Sequence, residues 1–416
     1  MKRLLIIGYC MLVTMYAGAD EKKTPTFDDY FTDQTLRIDY IFAGDASHQH
    51  VFLDEMSSSS RWYGKRSRLA DVPLKGNGQL IARSCDNGQV IYRHSFSTLF
   101  QEWLATDEAK HTSRSFENVF LMPMPQRPTE VTIELYDYHD SLTTTMTHTV
   151  DPSDILIRDH SRQSSVRYTT INAPADTSSC IHIAYVAEGY TAQQMSLFRQ
   201  HCTEATEALF AHEPFKTMQG AFSIVAVESP STDSGTSIPH KHEWRSTALA
   251  SHFDTFYSNR YLTTLQLKRL HDTLTGVPYE HIIILVNTEN YGGGGIFNSY
   301  NLSYTKGRSW KPVVVHEFGH SFAGLGDEYD YGDNDPMYFS DTEPWEPNLT
   351  TSTAKPVKWQ TLIDKGRATL CEGGGYQSHG VWRGSPDCRM KTNEYPEFCP
   401  VCQEAITRLI NFYVSR

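Results

Sequence analysis

Residues 313–330, VVVHEFGHSFAGLGDEYD, constrain the local structure of this 416-residue chain more than any other stretch. The HEFGH motif places the imidazoles of His316 and His320 four residues apart, so both would lie on one face of a helix. Two neutral imidazole nitrogens on one rigid element are typical Zn²⁺ ligands. Glu317 lies between them, and a carboxylate there could take a proton from an attacking water. The motif therefore predicts a metal-binding helix with Glu317 as the general base.

The third metal ligand is missing from the position where a common zinc-peptidase pattern would place it. In the metzincin pattern HExxHxxGxxH, a glycine turns the chain and a third histidine returns to the metal. Here Ala323 occupies the glycine position and Gly326 occupies the ligand position. A shift by one residue restores the pattern, with Gly324 at the turn and Asp327 as the predicted third ligand. The remaining candidates are other carboxylates: Glu328, Glu343 and Glu346.

Four consecutive glycines, residues 292–295, precede an alternating strand that ends shortly before the helix. Glycine permits the close approach of another backbone, and proteins commonly bind extended peptides along an exposed edge strand. We therefore predict that Gly293, Gly294, Gly295 and Ile296 bind substrate through their main chain. A flexible hairpin loop remains the alternative.

The N-terminus has the composition of a secretory signal peptide. Lys2 and Arg3 precede an apolar run over residues 4–16, and a small-x-small site follows at residues 17–19. This pattern predicts cleavage after Ala19 and a secreted, periplasmic or cell-surface protein. The apolar run is too short to span a bilayer, and no later run is long enough, so we expect no membrane span.

The charge balance argues against nucleic acid as a partner. The formal net charge is −12, and removal of the signal peptide with its two basic residues changes it to −14. An acidic chain without a basic cluster is poorly suited to bind phosphate backbones. The predicted partner is therefore a protein or peptide substrate.

Four of the seven cysteines that follow the signal peptide lie in the last fifty residues or so: Cys371, Cys388, Cys399 and Cys402. They include a CxxC pair and could form a structural zinc site. In an oxidising compartment, a disulfide between Cys388 and one cysteine of the CPVC segment is the favoured alternative.

The pattern of apolar residues changes near residue 165. Residues 36–158 favour strands, with a hairpin at the Asp86-Asn87-Gly88 turn and one short helix after Thr98. Beyond the polar linker, buried strands alternate with predicted helices, one of them over residues 261–274 (YLTTLQLKRLHDTL). We predict an α+β, multi-domain protein, with an all-β sandwich over residues 20–165 and an α/β, metzincin-like zinc-peptidase domain over residues 166–416.

Several segments together resemble the bacterial M64 peptidase family, often called IgA peptidase M64. They are HEFGHSFAGLGDEY, YGGGGIFN, ESPSTDSGTSIP and the terminal CRMKTNEYPEFCPVC. The resemblance runs from about residue 181 to the C-terminus, and the β part resembles the N-terminal domain that accompanies this family. It implies a metzincin-like zinc endopeptidase with His316, His320 and Asp327 as ligands and Glu317 as general base. One departure is Glu188, where the family pattern has aspartate.

Two further residue roles are expected in such a site. Met390 fits the methionine turn beneath the metal of metzincins, and Tyr376 or Tyr395 could stabilise the oxyanion. The expected function is an exported zinc endopeptidase that acts on extracellular proteins, with host glycoproteins as one substrate class. The alternative is an exported adhesin or glycan-binding protein whose peptidase-like domain is inactive.

Overall fold

The computed structural model describes residues 25–163, 165–177, 179–332 and 336–414. The predicted signal peptide, residues 1–19, lies outside these described residues. Among the helices in the described ranges, none combines the length and the apolar character that crossing a membrane requires.

The N-terminal part consists mainly of strands in two four-stranded sheets. Its elements are α1 (Phe27–Tyr30), β1 (Phe31–Gly44), β2 (Gln49–Ser59), β3 (Gly78–Ser84), β4 (Val90–Phe96), α2 (Leu99–Leu104), β5 (Arg114–Pro125), β6 (Thr129–Tyr136), β7 (Leu142–Val150) and β8 (Arg158–Asp159). One sheet has the order β5-β1-β2-β8 and the other the order β4-β3-β6-β7. Inward residues alternate along β6, which is the burial pattern of a strand packed on one face.

Two local predictions for this part are confirmed. Strands β3 and β4 form an antiparallel hairpin, and Gly88 in its turn has a φ of 68°, which glycine adopts without steric cost. Helix α2 begins after Thr98, whose side chain accepts a hydrogen bond from the Gln101 N–H at 3.2 Å.

The C-terminal part combines a large mixed sheet, helices and a small second sheet. Its elements are β9 (Tyr168–Asn172), β10 (Ile181–Glu188), α3 (Met195–Phe210), β11 (Phe222–Val227), α4 (Leu267–Thr273), β12 (His281–Val286), β13 (Gly293–Ile296), β14 (Tyr300–Tyr304), α5 (Trp310–Ala323), β15 (Leu349–Thr350), α6 (Gln360–Asp364), β16 (Cys371–Gly374), β17 (Gln377–Arg383) and α7 (Pro400–Val414). The six-stranded sheet has the order β13-β14-β12-β10-β11-β9, and a three-stranded sheet has the order β15-β17-β16.

The large sheet separates two apolar cores. Its four central strands are parallel, whereas the edge strands β9 and β13 are antiparallel to their neighbours. Successive side chains point to opposite faces of a strand. Ile183 and Tyr185 accordingly pack in one core with residues of α3, α5 and α7, whereas Ala184 and Val186 belong to the core that includes the N-terminal sheets.

The chain is therefore a mixed α+β protein with several sheets, as predicted, and its N-terminal part is rich in strands. One helix prediction was too long. Residues 261–274 were expected to be helical, but only Leu267–Thr273 form a helix. Tyr261 and Thr263 instead form β-bridges with Gly293 and His252, because pairing with the exposed edge of β13 competes with a helix that β-branched residues disfavour.

Candidate metal centre and active site

Helix α5 positions the HEFGH motif and ends at a glycine turn. Its C-cap residue Gly324 has a φ of 58°. The N–H groups of Gly324 and Leu325 donate to the carbonyls of His320 and Gly319 at 3.0 and 3.1 Å, so the last helical carbonyls are satisfied as the chain reverses. This reversal directs Asp327 back toward the helix face that carries the two histidines.

The two histidines and Asp327 meet at one point. The Nε2 atoms of His316 and His320 lie 3.0 Å apart. Asp327 Oδ1 lies 3.0 Å from the first Nε2 and 3.2 Å from the second. One ligand atom of each residue falls within 4.8 Å of the others. The structure thus brings together the three residues that the sequence predicts as metal ligands.

The hydrogen bonds of the rings indicate which atoms are available to a cation. His316 Nδ1 contacts the Arg389 carbonyl at 3.0 Å, and His320 Nδ1 contacts the Leu325 carbonyl at 2.5 Å. A carbonyl can only accept, so each Nδ1 carries the proton. Both Nε2 atoms then face the buried Asp327 Oδ1, for which the described structure contains no other hydrogen-bond partner. Such an arrangement suits a bound cation.

The electrostatics of this group favour positive charge. Burial alone would raise the pKa of Asp327, but His320 and His316 outweigh it and hold the pKa of this carboxyl well below its usual range. Burial lowers the pKa of His320, yet the neighbouring Asp327 raises it to about 9. The carboxylate therefore remains ionised and stabilises positive charge on or between the imidazoles.

Glu317 lies on the same helix, against strand β13. Burial raises the pKa of its carboxyl. A Cβ atom at Gly293 would lie 2.4 Å from Glu317 Oε1, and a Cβ atom at Gly295 would lie 2.5 Å from the Glu317 carbonyl oxygen. Glycine at these two positions therefore allows β13 to approach the helix this closely.

β13 is an edge strand, but part of its outer side is already paired. The Gly292 carbonyl accepts from the Tyr304 N–H of β14, so the backbone groups of Gly293 and Gly295 point to the other side. There Gly293 N–H donates to the Arg260 carbonyl, and the Leu262 N–H donates to the Gly293 carbonyl. Among the described residues, no backbone group pairs with that side of Gly295. Peptide binding along the strand remains a prediction. Gly295 offers free outward groups for it, and Gly293 could take part only if this pairing opened, whereas the backbone groups of Gly294 and Ile296 point toward β14.

The N-terminal part also reaches this region, which the sequence did not indicate. Glu102 of α2 accepts a hydrogen bond from the Tyr261 hydroxyl, next to the segment that pairs with Gly293. Burial raises the pKa of Glu102 to about 7, and His320 and Asp327 are among the charges that act on it. The β-rich part therefore contributes to the wall of the site.

Tyr376 and Met390 both lie at the metal cluster. The Tyr376 hydroxyl donates to Asp327 Oδ2 at 2.5 Å, so it contacts a predicted metal ligand. Met390 is fully buried, and its sulfur would lie 2.7 Å from a Cβ atom at Gly319 on the underside of α5. Tyr395, the second candidate for the oxyanion, is exposed.

The alternative carboxylates lie elsewhere. Glu343 accepts from the Thr350 hydroxyl at 2.9 Å and Glu346 from the Tyr338 hydroxyl at 3.0 Å, and neither belongs to the histidine cluster. Glu328 points toward a cluster of cysteines. Glu188 is fully buried and anchors a loop, because it accepts from Thr247, Leu249 and Ser251.

Comparison with models of protein families gives two matches. Residues 170–371 match the model described as IgA Peptidase M64, and residues 26–147 match the model described as Peptidase M64 N-terminus. Together they cover more than half of the chain, including the whole of the histidine cluster. The search of curated proteins found no match.

Proposed function

The chain belongs to the M64 family of peptidases, and from this premise we propose that it is an exported, zinc-dependent endopeptidase with a metzincin-like catalytic half. M64 is a metallopeptidase family, and the protein acts on a protein or peptide substrate. The observation that carries the finer assignment is the convergence of two imidazole Nε2 atoms and one carboxylate oxygen beside a further buried carboxylate, Glu317.

The donor set fits zinc. His316, His320 and Asp327 would hold the ion through two nitrogens and one oxygen, a ligand set that leaves a fourth position open, as catalytic zinc sites require. When bound, Zn²⁺ supplies Lewis acidity, which lowers the pKa of water and polarises a peptide carbonyl. The carbonyls of Arg389 and Leu325 fix the orientation of the two rings, and Tyr376 fixes that of the carboxylate.

Glu317 performs the proton transfers. Its carboxylate takes a proton from the attacking water and passes it to the amine that leaves when the peptide bond breaks. The raised pKa of this buried carboxyl suits both steps, since such a group must accept a proton and later release it near neutral pH. The close approach of Gly293 fixes the carboxylate next to the strand on which the substrate would lie.

The substrate is an extended segment of a protein, aligned beside β13. The outward backbone groups of Gly295 offer main-chain hydrogen bonds next to Glu317 and His320. We propose that the segment is cleaved within its chain, hence an endopeptidase. The signal-like N-terminus supports export, and therefore an extracellular substrate class, of which host glycoproteins are one candidate.

The test combines metal analysis with a cleavage screen on a proteome-derived peptide library. Glu317→Gln keeps the shape of the side chain but cannot take up the proton, so we expect zinc content to be unchanged and cleavage to fall by roughly 10²–10⁴-fold. His316→Ala should lose both the ion and the activity. Cleavage by Glu317→Gln at the wild-type rate would show that the mechanism is wrong.

The same screen examines substrate class and export. We expect internal cleavage sites, and glycoproteins added to the screen report whether that class is preferred. The N-terminal sequence of the protein recovered from the medium or periplasm should begin after Ala19. Full-length protein retained in the cytoplasm would contradict the export proposal.

A further inference from the structure

A second group of metal-ligand side chains lies on the other side of the Asp327 segment. It consists of Glu328, Cys388, Cys399 and Cys402, all buried, with one potential ligand atom of each within 4.8 Å of the others. Cys402 Sγ lies 3.2 Å from Glu328 Oε1 and Cys399 Sγ lies 3.9 Å from the same oxygen. The sequence predicts a possible zinc site formed by these three cysteines and Cys371. In the structure the fourth member of the group is Glu328 instead of Cys371.

The backbone around the sulfurs has the geometry of a thiolate site. The Cys399 N–H donates to Cys388 Sγ at 3.1 Å, and such a bond stabilises negative charge on sulfur. Cys399 immediately precedes α7, and Cys402 lies in its first turn. The positive end of the helix dipole therefore also favours thiolates at this point.

Glu328 supplies an independent indication of a ligand. Its side chain is fully buried, and its Oε1 accepts from the Asn348 amide at 3.0 Å. Its Oε2 has no partner among the described residues, and no lysine or arginine in the described ranges forms an ion pair with it. A buried carboxylate with an unsatisfied oxygen is unfavourable unless a cation or a proton compensates it.

We propose that Glu328, Cys388, Cys399 and Cys402 bind a second, structural zinc ion. Three sulfurs and one carboxylate oxygen give a closed tetrahedral set without an open position, which is typical of structural rather than catalytic zinc. Soft thiolate ligands select zinc over magnesium or calcium.

A disulfide explains less of the same geometry. The Sγ atoms of Cys388 and Cys402 are 3.8 Å apart, and all the cysteines in the described residues are free. A bond between any two of the three clustered sulfurs would leave the third thiol and the Glu328 carboxylate enclosed together. Zinc accounts for all four side chains at once.

This ion would stabilise the segments that position the catalytic site. Asp327 and Glu328 are adjacent, so one segment supplies a ligand to each cluster. The Glu328 N–H donates to the Met390 carbonyl at 2.8 Å, and the Arg389 carbonyl orients His316. Arg389 and Met390 follow directly after Cys388. A metal bound to Cys388 would therefore restrict the loop that positions His316.

Elemental analysis of the mature chain, purified without reductant or chelator, tests this proposal. We expect about two zinc ions per wild-type chain and about one in either Cys402→Ala or His316→Ala. Cys371→Ala is the matched control, because Cys371 lies outside the group, and it should retain both ions. After Co²⁺ substitution, absorption from thiolate-to-metal charge transfer should persist in His316→Ala and disappear in Cys402→Ala.

Peptide mapping without reduction separates zinc from a disulfide. We expect Cys388, Cys399 and Cys402 to be recovered as free thiols after denaturation in chelator. A disulfide among them, or a wild-type chain with a single zinc that His316→Ala removes, would overturn the proposal. Mapping and the Co²⁺ spectrum of the wild-type chain still decide the question if Cys402→Ala does not fold, and neither depends on peptidase activity.

Discussion

A tyrosine near the proposed catalytic metal could orient a metal ligand or stabilise the oxyanion. The hydrogen bond of the Tyr376 hydroxyl favours one of these two roles. The hydroxyl donates to Asp327 Oδ2, so it orients the proposed ligand and stabilises the ionised form of that carboxylate. A phenol that stabilised the oxyanion would instead point at the substrate. The structure therefore favours a positioning role, in place of the oxyanion role that the sequence suggested.

Tyr376→Phe removes this hydrogen bond and little else. Loss of an outer contact to a ligand typically weakens metal binding by roughly 10–100-fold, so we expect zinc affinity to fall by that factor while kcat at saturating zinc is largely retained. Competition with a metal-binding dye measures the first quantity and peptide cleavage the second. Tyr395→Phe, at an exposed position, is the control. Unchanged affinity with a large loss of kcat would restore the oxyanion role.

The metal cluster could be predicted at the residue level because its three members lie on one helix and its C-terminal turn. Helical spacing fixes His316 and His320, and the Gly324 turn fixes Asp327. The contacts from Tyr376 and from the Arg389 carbonyl join residues 49 and 73 positions apart. No local pattern carries that information. The direction of Glu328 also depends on where the distant α7 packs.

At the level of the element, the length of α5 depends on the residue that ends it. Gly324 adopts a φ of 58°, and a Cβ atom there would lie 2.6 Å from the Trp345 ring and 3.0 Å from the Leu74 side chain. The turn therefore needs glycine both for its conformation and for space. Because the turn lies one residue later than in the metzincin pattern, the returning residue is Asp327.

Gly324→Ala tests this turn against a matched position. Gly366 has a similar φ of 65°, but an added Cβ atom would meet nothing within 4 Å. Gly366→Ala should therefore show only the strain of the left-handed conformation, about 1 kcal/mol. Gly324→Ala should lower stability by about 2–4 kcal/mol, since the clash adds to the strain, and it should also weaken zinc binding. Urea midpoints and zinc titration measure both effects, and equal midpoints for the two variants would contradict this account.

At the scale of the whole molecule, the β-rich N-terminal part covers one face of the large sheet. Helices α3, α5 and α7 pack on the other face, and the N-terminal sheets share a continuous apolar core with the first face. Contacts at the boundary include Arg37 with Asp272 and Asn298 with the Ser95 carbonyl. A separately folded adhesin module would not need such a core, and removal of the N-terminal part would expose the apolar face of the sheet.

This arrangement also explains why the local patterns could predict the strand content but not the packing. Alternation along β6 or in the β3–β4 hairpin is readable from neighbouring residues. The contact of Glu102 with the Tyr261 hydroxyl joins residues 159 positions apart across the boundary between the two parts. Long-range pairing likewise places Tyr261 and Leu262 beside Gly293 of β13, where a helix was expected.

The core on the helical face of the large sheet predicts how stability depends on pH. His281 on β12 lies among the rings of Phe318, Phe322 and Tyr413, and its Nε2 has no partner in the described structure. Burial lowers the pKa of His281 to about 3, whereas an unfolded histidine titrates near 6.5. The unfolded chain therefore binds the proton first, and stability is lost as the pH falls from about 6.5 toward 3.

His281→Phe removes this titration while keeping a ring in the core. One buried histidine contributes at most about 1.4 kcal/mol per pH unit to the slope of unfolding free energy in this window. We expect the variant to lose up to that much of the wild-type slope between about pH 6 and pH 4, as measured by urea unfolding. His111→Phe, at an exposed position, should leave the slope unchanged. Equal slopes for all three proteins would mean that His281 is hydrated in solution, and that the core between the large sheet and helices α5 and α7 is less closely packed than its contacts indicate.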